Sequence, residues 1–172
     1  MKRILIIFLA IFPLWAGVDL TLSGAMFVPK ASYFREAYGS SIPSFSLEGE
    51  YRILPMVGTF LGIDYLHKTG KLTYSGEKVT LRVVPVNAGV RFHFLTFFAD
   101  LGVGSWNYKE EASFETASGS LTGFFVAAGL RYSLVKFNFR VRAKYSVAKK
   151  KTEDIESDLS GLQLEAGVGV SF

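Results

Sequence analysis

From residue 137 to residue 147 the chain changes character at every step. Phe137, Phe139, Val141, Ala143, Tyr145 and Val147 alternate with Asn138, Arg140, Arg142, Lys144 and Ser146. A helix would scatter these two sets around its circumference, whereas a strand separates them onto opposite faces. Residues 162–172 repeat the pattern, with Leu162, Leu164, Ala166, Val168, Val170 and Phe172 opposing Gln163, Glu165, Gly167, Gly169 and Ser171. A chain built from such segments is a sheet protein whose two faces differ in chemistry.

The same period of two runs through the earlier segments. Val18, Leu20, Leu22, Gly24 and Met26 oppose Asp19, Thr21, Ser23 and Ala25, and Phe45, Leu47, Gly49, Tyr51 and Ile53 oppose Ser44, Ser46, Glu48, Glu50 and Arg52. Val57, Thr59, Leu61, Ile63 and Tyr65 make a third apolar face, and residues 79–94, 97–108 and 121–134 supply three more strands. In the strand at 79–94 the apolar phase slips near Pro85, which cannot donate a ladder hydrogen bond, so a bulge is predicted there. The total is eight strands. Links near Pro55, Thr96 and Val135 are short, while those at residues 30–43, 68–77, 109–119 and 148–160 are longer and polar. Strict alternation of short and long links predicts an up-and-down antiparallel barrel with tight turns at one end and loops at the other.

Period two alone does not say which face is inside. In a soluble, lipocalin-like barrel the apolar face points inward; in a membrane barrel it points outward. Three features favour the membrane. The apolar faces run for five or six alternate positions, close to the 9–11 residues that a tilted strand needs to cross hydrocarbon. Aromatics gather at strand ends, with Phe92, Phe94, Phe97, Tyr132, Phe137 and Phe172 toward the short turns and Phe45, Tyr65 and Tyr145 toward the long links. The polar faces mix both charges with glycine, as a crowded lumen requires. The N-terminus agrees: Lys2 and Arg3 precede an apolar run over residues 4–15, then Ala16 and Gly17, which are the parts of a secretory signal. Residues 1–16 are therefore predicted to be a signal peptide and 17–172 one barrel domain, an uncleaved anchor being the alternative. The chain has no cysteine, which excludes disulfides and thiolate metal sites. Its formal charge of +4 falls to 4 − 2 = +2 without Lys2 and Arg3, which is no nucleic-acid footprint.

Eight strands leave an interior only wide enough for side chains. Glu48, Glu50, Asp64, Asp100 and Glu165 would share it with Arg91, Arg131, Arg140, Arg142 and Lys144. Buried charges are tolerable only when paired. The turn at Leu95 would set Arg91 opposite Asp100, and the last hairpin would bring Lys144 near Glu165. Salt bridges filling the lumen are a simpler reading of these residues than a proton or ion path.

On these residues the chain resembles the OmpX/OmpA-type small outer-membrane barrels over nearly everything after Gly17. The resemblance rests on pattern, with one better marker: the amphipathic last strand ends in Phe172, similar to the terminal signal that the outer-membrane assembly machinery reads. A terminal Phe alone arises by chance; after a signal peptide and an aliphatic ladder it is more specific. The resemblance implies an integral protein of the bacterial outer membrane, partnered by lipid, lipopolysaccharide and the assembly machinery. It implies Leu164, Ala166, Val168, Val170 and Phe172 as the assembly signal. A monomer with no cofactor and no nucleic-acid partner is expected.

Little in the sequence points to catalysis. His67 and His93 are the only histidines, expected at opposite rims and so unable to share a metal. His67 is placed close to Asp64 and in a loop region with Ser75; His93 falls on the inner side near a short turn. Some small outer-membrane barrels are lipid A deacylases or palmitoyl transferases, but the deacylase His-x-Ser is absent, since Phe94 and Leu95 follow His93 while Lys68 and Thr69 follow His67. Glu48 with Glu50 along one strand, and Glu110 with Glu111 in a predicted loop, suit structural use better than glycosidase chemistry. Gly102 and Gly104 lie in a strand with no helix after it, so they form no phosphate loop. Lys149, Lys150 and Lys151 read either as a solvated loop base or as a contact for lipopolysaccharide phosphates. The reading is a non-enzymatic outer-membrane protein supporting envelope integrity, with loops contacting lipopolysaccharide or an external surface. The alternatives are a ligand-binding or adhesive module using Tyr33, Phe34, Tyr38 and Tyr74, which could equally fold back onto the rim; a narrow pore; and a lipid-modifying enzyme.

Overall fold

The computed structural model describes residues 17–71, 76–112, 116–152 and 155–172; the predicted signal peptide lies outside these residues, as do Tyr74 and Ser75. Among the described residues the strands are β1 (Val18–Pro29), β2 (Ile42–Leu54), β3 (Val57–Lys71), β4 (Lys78–Phe94), β5 (Phe97–Ala112), β6 (Thr116–Leu134), β7 (Phe137–Thr152), β8 (Ile155–Asp158) and β9 (Gly161–Ser171), and one helix is present, α1 (Ser32–Tyr38). Neighbours from β1 to β7 pair antiparallel in chain order, and β9 pairs with both β7 and β1. β8 pairs only with the upper end of β7. The wall is therefore a closed barrel of eight strands, the number the alternation predicts.

Toward the short turns, taken here as the lower end, outward positions are apolar and inward positions mostly polar, with Phe60, Phe98 and Phe125 as inward-facing exceptions. Above a level marked by Leu66, Pro85, Ser105 and Thr122 this relation inverts. Thr69, Arg82, Asn107, Lys109, Ser118 and Ser120 now face outward, while Val79, Leu81, Val83, Trp106 and Leu121 turn in and form a core with Phe27, Ile42, Ala148 and Leu159. This corrects the predicted bulge. β4 keeps one register against β5 from Val79↔Ala112 to Phe94↔Phe97, and its ladder to β3 is only interrupted at Pro85, resuming as Ile63↔Val86 and Leu66↔Val83. What slips at Pro85 is the chemistry of the two faces; the backbone runs straight through. The register shift between Arg52 and Leu54 lies instead beside the Pro55 turn.

The predicted long loops are largely strand. β3 runs to Lys71, β5 to Ala112 and β7 to Thr152, so Glu110 and Glu111 belong to β5 and Lys149 to Lys151 to β7, all of which were expected in loops. The link at residues 30–43 contains α1, which ends at Gly39 with φ 87°, a left-handed conformation that glycine adopts without strain. The helix lies over the upper core and buries Phe34 and Tyr38. Gly70 of β3 makes room for it, since a Cβ there would sit 2.0 Å from the Ala37 carbonyl oxygen. On its other flank, β6 leaves β7 after Gly123↔Ala148, so residues 116–122 pair with β5 alone while β7 turns to β8.

At the lower end, Leu95 and Val135 open two-residue turns with φ 58° and 55°. A non-glycine residue held there stores roughly 1–3 kcal/mol of strain, and the position is most unusual for a β-branched side chain such as Val135.

Candidate functional site: a charged lumen under an apolar cap

Because side chains alternate along a strand, the inward positions of the lower half collect the charges. Arg91 lies directly across from Asp100 in the β4–β5 register. Its guanidinium donates to both Asp100 oxygens (2.7 and 2.8 Å) and to Glu50 (2.8 Å), and lies 2.9 Å from Glu48. Its guanidinium carbon also lies over the rings of Phe60 and Phe98, 4.9 and 4.5 Å from their centres, as cation–π attraction favours. Arg142 reaches Glu48 (2.7 Å), Asp100 (3.0 Å) and Glu165 (2.6 Å), and Arg140 adds a third arginine on Glu48, after Arg91 and Arg142. Lys144 donates to Asp64 (2.6 Å), with Glu165 further off at 3.5 Å. Arg131 forks onto Asp19 at 2.8 and 2.9 Å.

The ten charged residues singled out in the sequence thus share one connected interior. Beyond those ten, four further residues join the network: Asp19, Arg52, Asn87 and His93, the last of which parity had already set on the inner side. Asp19 ties Arg131 to Arg52 (2.9 Å), Asn87 donates to Asp64 (3.0 Å), and His93 Nε2 lies 2.6 Å from Glu50. Parity finds the other three as well: Arg52 shares the inward face of β2 with Glu48 and Glu50, Asn87 that of β4 with Arg91, and Asp19 the polar face of β1 with Thr21 and Ser23. With Arg52 included, six carboxylates (Asp19, Glu48, Glu50, Asp64, Asp100, Glu165) meet six strong bases (Arg52, Arg91, Arg131, Arg140, Arg142, Lys144). Such a balance gives the lumen no net charge with which to select an ion.

The Asp64–Lys144 pair marks the top of this layer, with Lys144 Nζ 5.7 Å from the Phe125 ring centre. Above this pair the interior is apolar. Among Phe27, Phe34, Ile42, Leu66, Leu81 and Trp106 the remaining void is about 10 Å³, at or below the space one water occupies. α1 seals this end: the Tyr38 hydroxyl donates to Glu110 of β5 at 2.5 Å. Burial and this carboxylate both push the Tyr38 phenol above its ordinary range. Tyr33 accepts a hydrogen bond from the Asp158 backbone N–H at 3.0 Å.

Other predicted positions are placed differently. His67 is on the outer face of β3, ring-stacked with Tyr65 at 6.4 Å, whereas Asp64 is on the inner face, so the expected closeness of the two does not occur. Lys149 bridges to Asp158 at 3.0 Å; the side chains of Lys150 and Lys151 lie outside the description. Leu164, Ala166, Val168, Val170 and Phe172 occupy the outer face of β9, between β1 and β7. Among the described residues no group of three or more His, Asp and Glu could hold a metal ion.

The outer face of the lower half is an apolar belt. On β1 it runs from Val18 to Val28, about 25 Å along the membrane normal at about 2.5 Å per residue for a strand tilted near 40°. Aromatics rim it: Phe92, Phe94, Phe97, Tyr132, Phe137 and Phe172 below, Phe45, Tyr65 and Tyr145 above, all exposed. A closed wall, apolar toward lipid and filled with paired charge, defines a transmembrane β-barrel of the small, side-chain-filled class. The chain belongs to the outer membrane protein beta-barrel domain family, whose model matches residues 14–172, and it is a protein of the bacterial outer membrane.

Solved structures agree on the fold. OprG from Pseudomonas aeruginosa superposes with a TM-score of 0.68 at 13% identity, covering 92% of this chain and 96% of that one. Ail, the attachment invasion locus protein of Yersinia pestis, solved with the heparin analogue sucrose octasulfate, gives 0.58 at 16% identity over 91% and 97%. Neisserial surface protein A gives 0.53 at 16% identity over 91% and 97%. No curated protein matches the chain in sequence.

Proposed function

We propose that this protein is a non-enzymatic, non-conducting outer-membrane barrel that supports envelope integrity and presents its upper block to lipopolysaccharide. Residues 1–16 act as its export signal, and the outer face of β9 ending in Phe172 as its assembly signal. The observation that carries the reading is the doubly filled interior, ion-paired below and apolar above, with α1 across the top. A barrel built this way is a rigid post. The outer wall of its upper block carries Arg82, Lys109 and Lys149 just above the lipid belt, where lipopolysaccharide phosphates lie and cations are attracted.

Two measurements test this. The purified protein in a planar bilayer should show no stepwise conductance. Cells carrying Lys149→Ala, Lys150→Ala and Lys151→Ala together should retain less lipopolysaccharide with the extracted protein; unchanged retention would count against the contact.

A second reading, an adhesive module, is favoured by the open edge of β6. Residues 116–122 carry no proline and no charge, so nothing guards that edge against pairing with an added strand. Of Ser118→Pro and Gly119→Pro, tested separately because adjacent residues donate to opposite sides, the one whose N–H faces the open edge should abolish binding to an external protein if the edge is used.

A further inference from the structure

The lower turns hold apolar side chains in strained positions and aim them away from the protein. Leu95 is 103% exposed and Val135 92%, each at a positive φ. Only the first residue of each turn has positive φ, so glycine at either position would remove both the strain and the exposed apolar surface. The third turn exposes Met56 beside Leu54 in the same way. Each tip is flanked by outward belt residues, Phe94 and Phe97 around Leu95, Leu134 and Phe137 around Val135. The lipid-facing surface is therefore continuous with the tips.

The height of the belt supplies an independent reason. On β5 the outward apolar run extends only from Phe97 to Val103, roughly 15 Å along the membrane normal against the roughly 25 Å that hydrocarbon-facing bands span. Ser105, Asn107 and Lys109 stop it from extending upward. Only extension downward remains, through the turn itself.

We infer that the lower turns are seated in the periplasmic leaflet, with Leu95 and Val135 anchored among the acyl chains of its glycerophospholipids. Thr96 and Lys136, the second residues of the same turns, then lie at the head groups, Lys136 by extending its ammonium toward them. The apolar tips face lipid, and the strain persists because lipid rewards the side chains that cause it.

The natural chain has no cysteine, so a single introduced cysteine can carry a spin label at one defined place. Leu95→Cys and Val135→Cys, in the full barrel reconstituted into phosphatidylethanolamine and phosphatidylglycerol vesicles, should collide with an aqueous nickel chelate several-fold less than Ser118→Cys on the upper wall. They should collide with oxygen as readily as Leu61→Cys in the belt. Chelate accessibility equal to that at Ser118 would overturn the assignment and leave the tips free for water or a periplasmic protein. Leu95→Gly and Val135→Gly provide a second readout. Tips in lipid predict a lower urea midpoint for unfolding from the same vesicles; an unchanged or raised midpoint, as expected for strain relieved in water, overturns it.

Discussion

Leu81 and Arg91 sit on the same face of the same strand, and both are buried. One lies in an apolar core, the other in a ring of carboxylates. The difference follows from what lies outside the wall at each level. Where lipid surrounds the barrel, outward positions must be apolar, so the inward positions carry the polar residues and must neutralise one another. Where water surrounds it, outward positions can be polar and the interior is free to be apolar. The forces differ accordingly. Lipid tails give little hydrophobic drive for burial, so the lower half relies on charge pairing in a low dielectric. The upper block folds as a soluble protein does, by removing apolar surface from water.

Breaking the lower half should have the largest effect. Arg142→Ala removes one cation from three carboxylates, Glu48, Asp100 and Glu165. Leaving buried charges unpaired costs about 3–5 kcal/mol. The variant should lose its compact, unboiled electrophoretic band at a markedly lower temperature than the natural barrel, and an unchanged temperature would mean that the network adds little. Leu81→Ala comes next, at about 2–5 kcal/mol for an emptied core position. Its loss should be local: backbone amides of β4 and β5 above Pro85 exchange faster, while those of the belt stay protected. Uniform loss of protection would show that the two halves melt as one unit and that the division is chemical only.

The lower half was readable in the sequence because lipid imposes a strict rule on every strand. Residues 137–147 and 162–172 displayed it almost without exception, and the inward charges followed by parity. The upper half was not, because its rule is the reverse and begins without any backbone signal. Val79, Leu81 and Val83 have inward parity with Arg91, so a reader who expects apolar residues outside sees a phase slip and places a bulge at Pro85. The polar composition of residues 109–119 and 148–160 likewise reads as loop, although β5 runs on to Ala112, β6 begins at Thr116 and β7 runs on to Thr152. α1 was hidden for another reason. Seven residues with three aromatics form a helix mainly because the upper core accepts Phe34 and Tyr38, a tertiary cause that local propensity does not report.

Tyr38→Phe probes the seam between helix and wall with a smaller effect. Deleting the hydroxyl leaves the ring packed on Phe34 (4.9 Å) and removes one hydrogen bond to a carboxylate, about 1.5–3 kcal/mol for a charged acceptor. The same contact makes docking of α1 pH-dependent. Because the phenol is raised above its ordinary value of 10.0, its contribution is complete below that pH and declines as pH rises through the raised value. Proteolysis within residues 30–43 should accelerate in strongly alkaline buffer for the natural chain and lose that dependence in Tyr38→Phe.

The smallest effect gives the sharpest form of the comparison, because one kind of ion pair occurs at both levels. Lys144 meets Asp64 at 2.6 Å inside the lipid-surrounded half, and Lys149 meets Asp158 at 3.0 Å on the water-surrounded block. Burial pushes the Asp158 carboxyl up, but hydrogen bonds from Ser160 and from Lys149 outweigh it and hold the group below its ordinary range. Its contribution is therefore present above the usual carboxylate pKa and fades as pH falls through the lowered one. Lys149 is exposed and Ser160 remains in place, so Lys149→Ala should cost less than about 1 kcal/mol. It should also raise the Asp158 midpoint in a carboxyl-resolved NMR titration. Lys144→Ala should cost several-fold more, for a pair of the same charges at similar separation. Equal costs would mean that the medium outside the wall does not set the strength of what lies within it, and the division of the barrel into two chemistries would lose its physical basis.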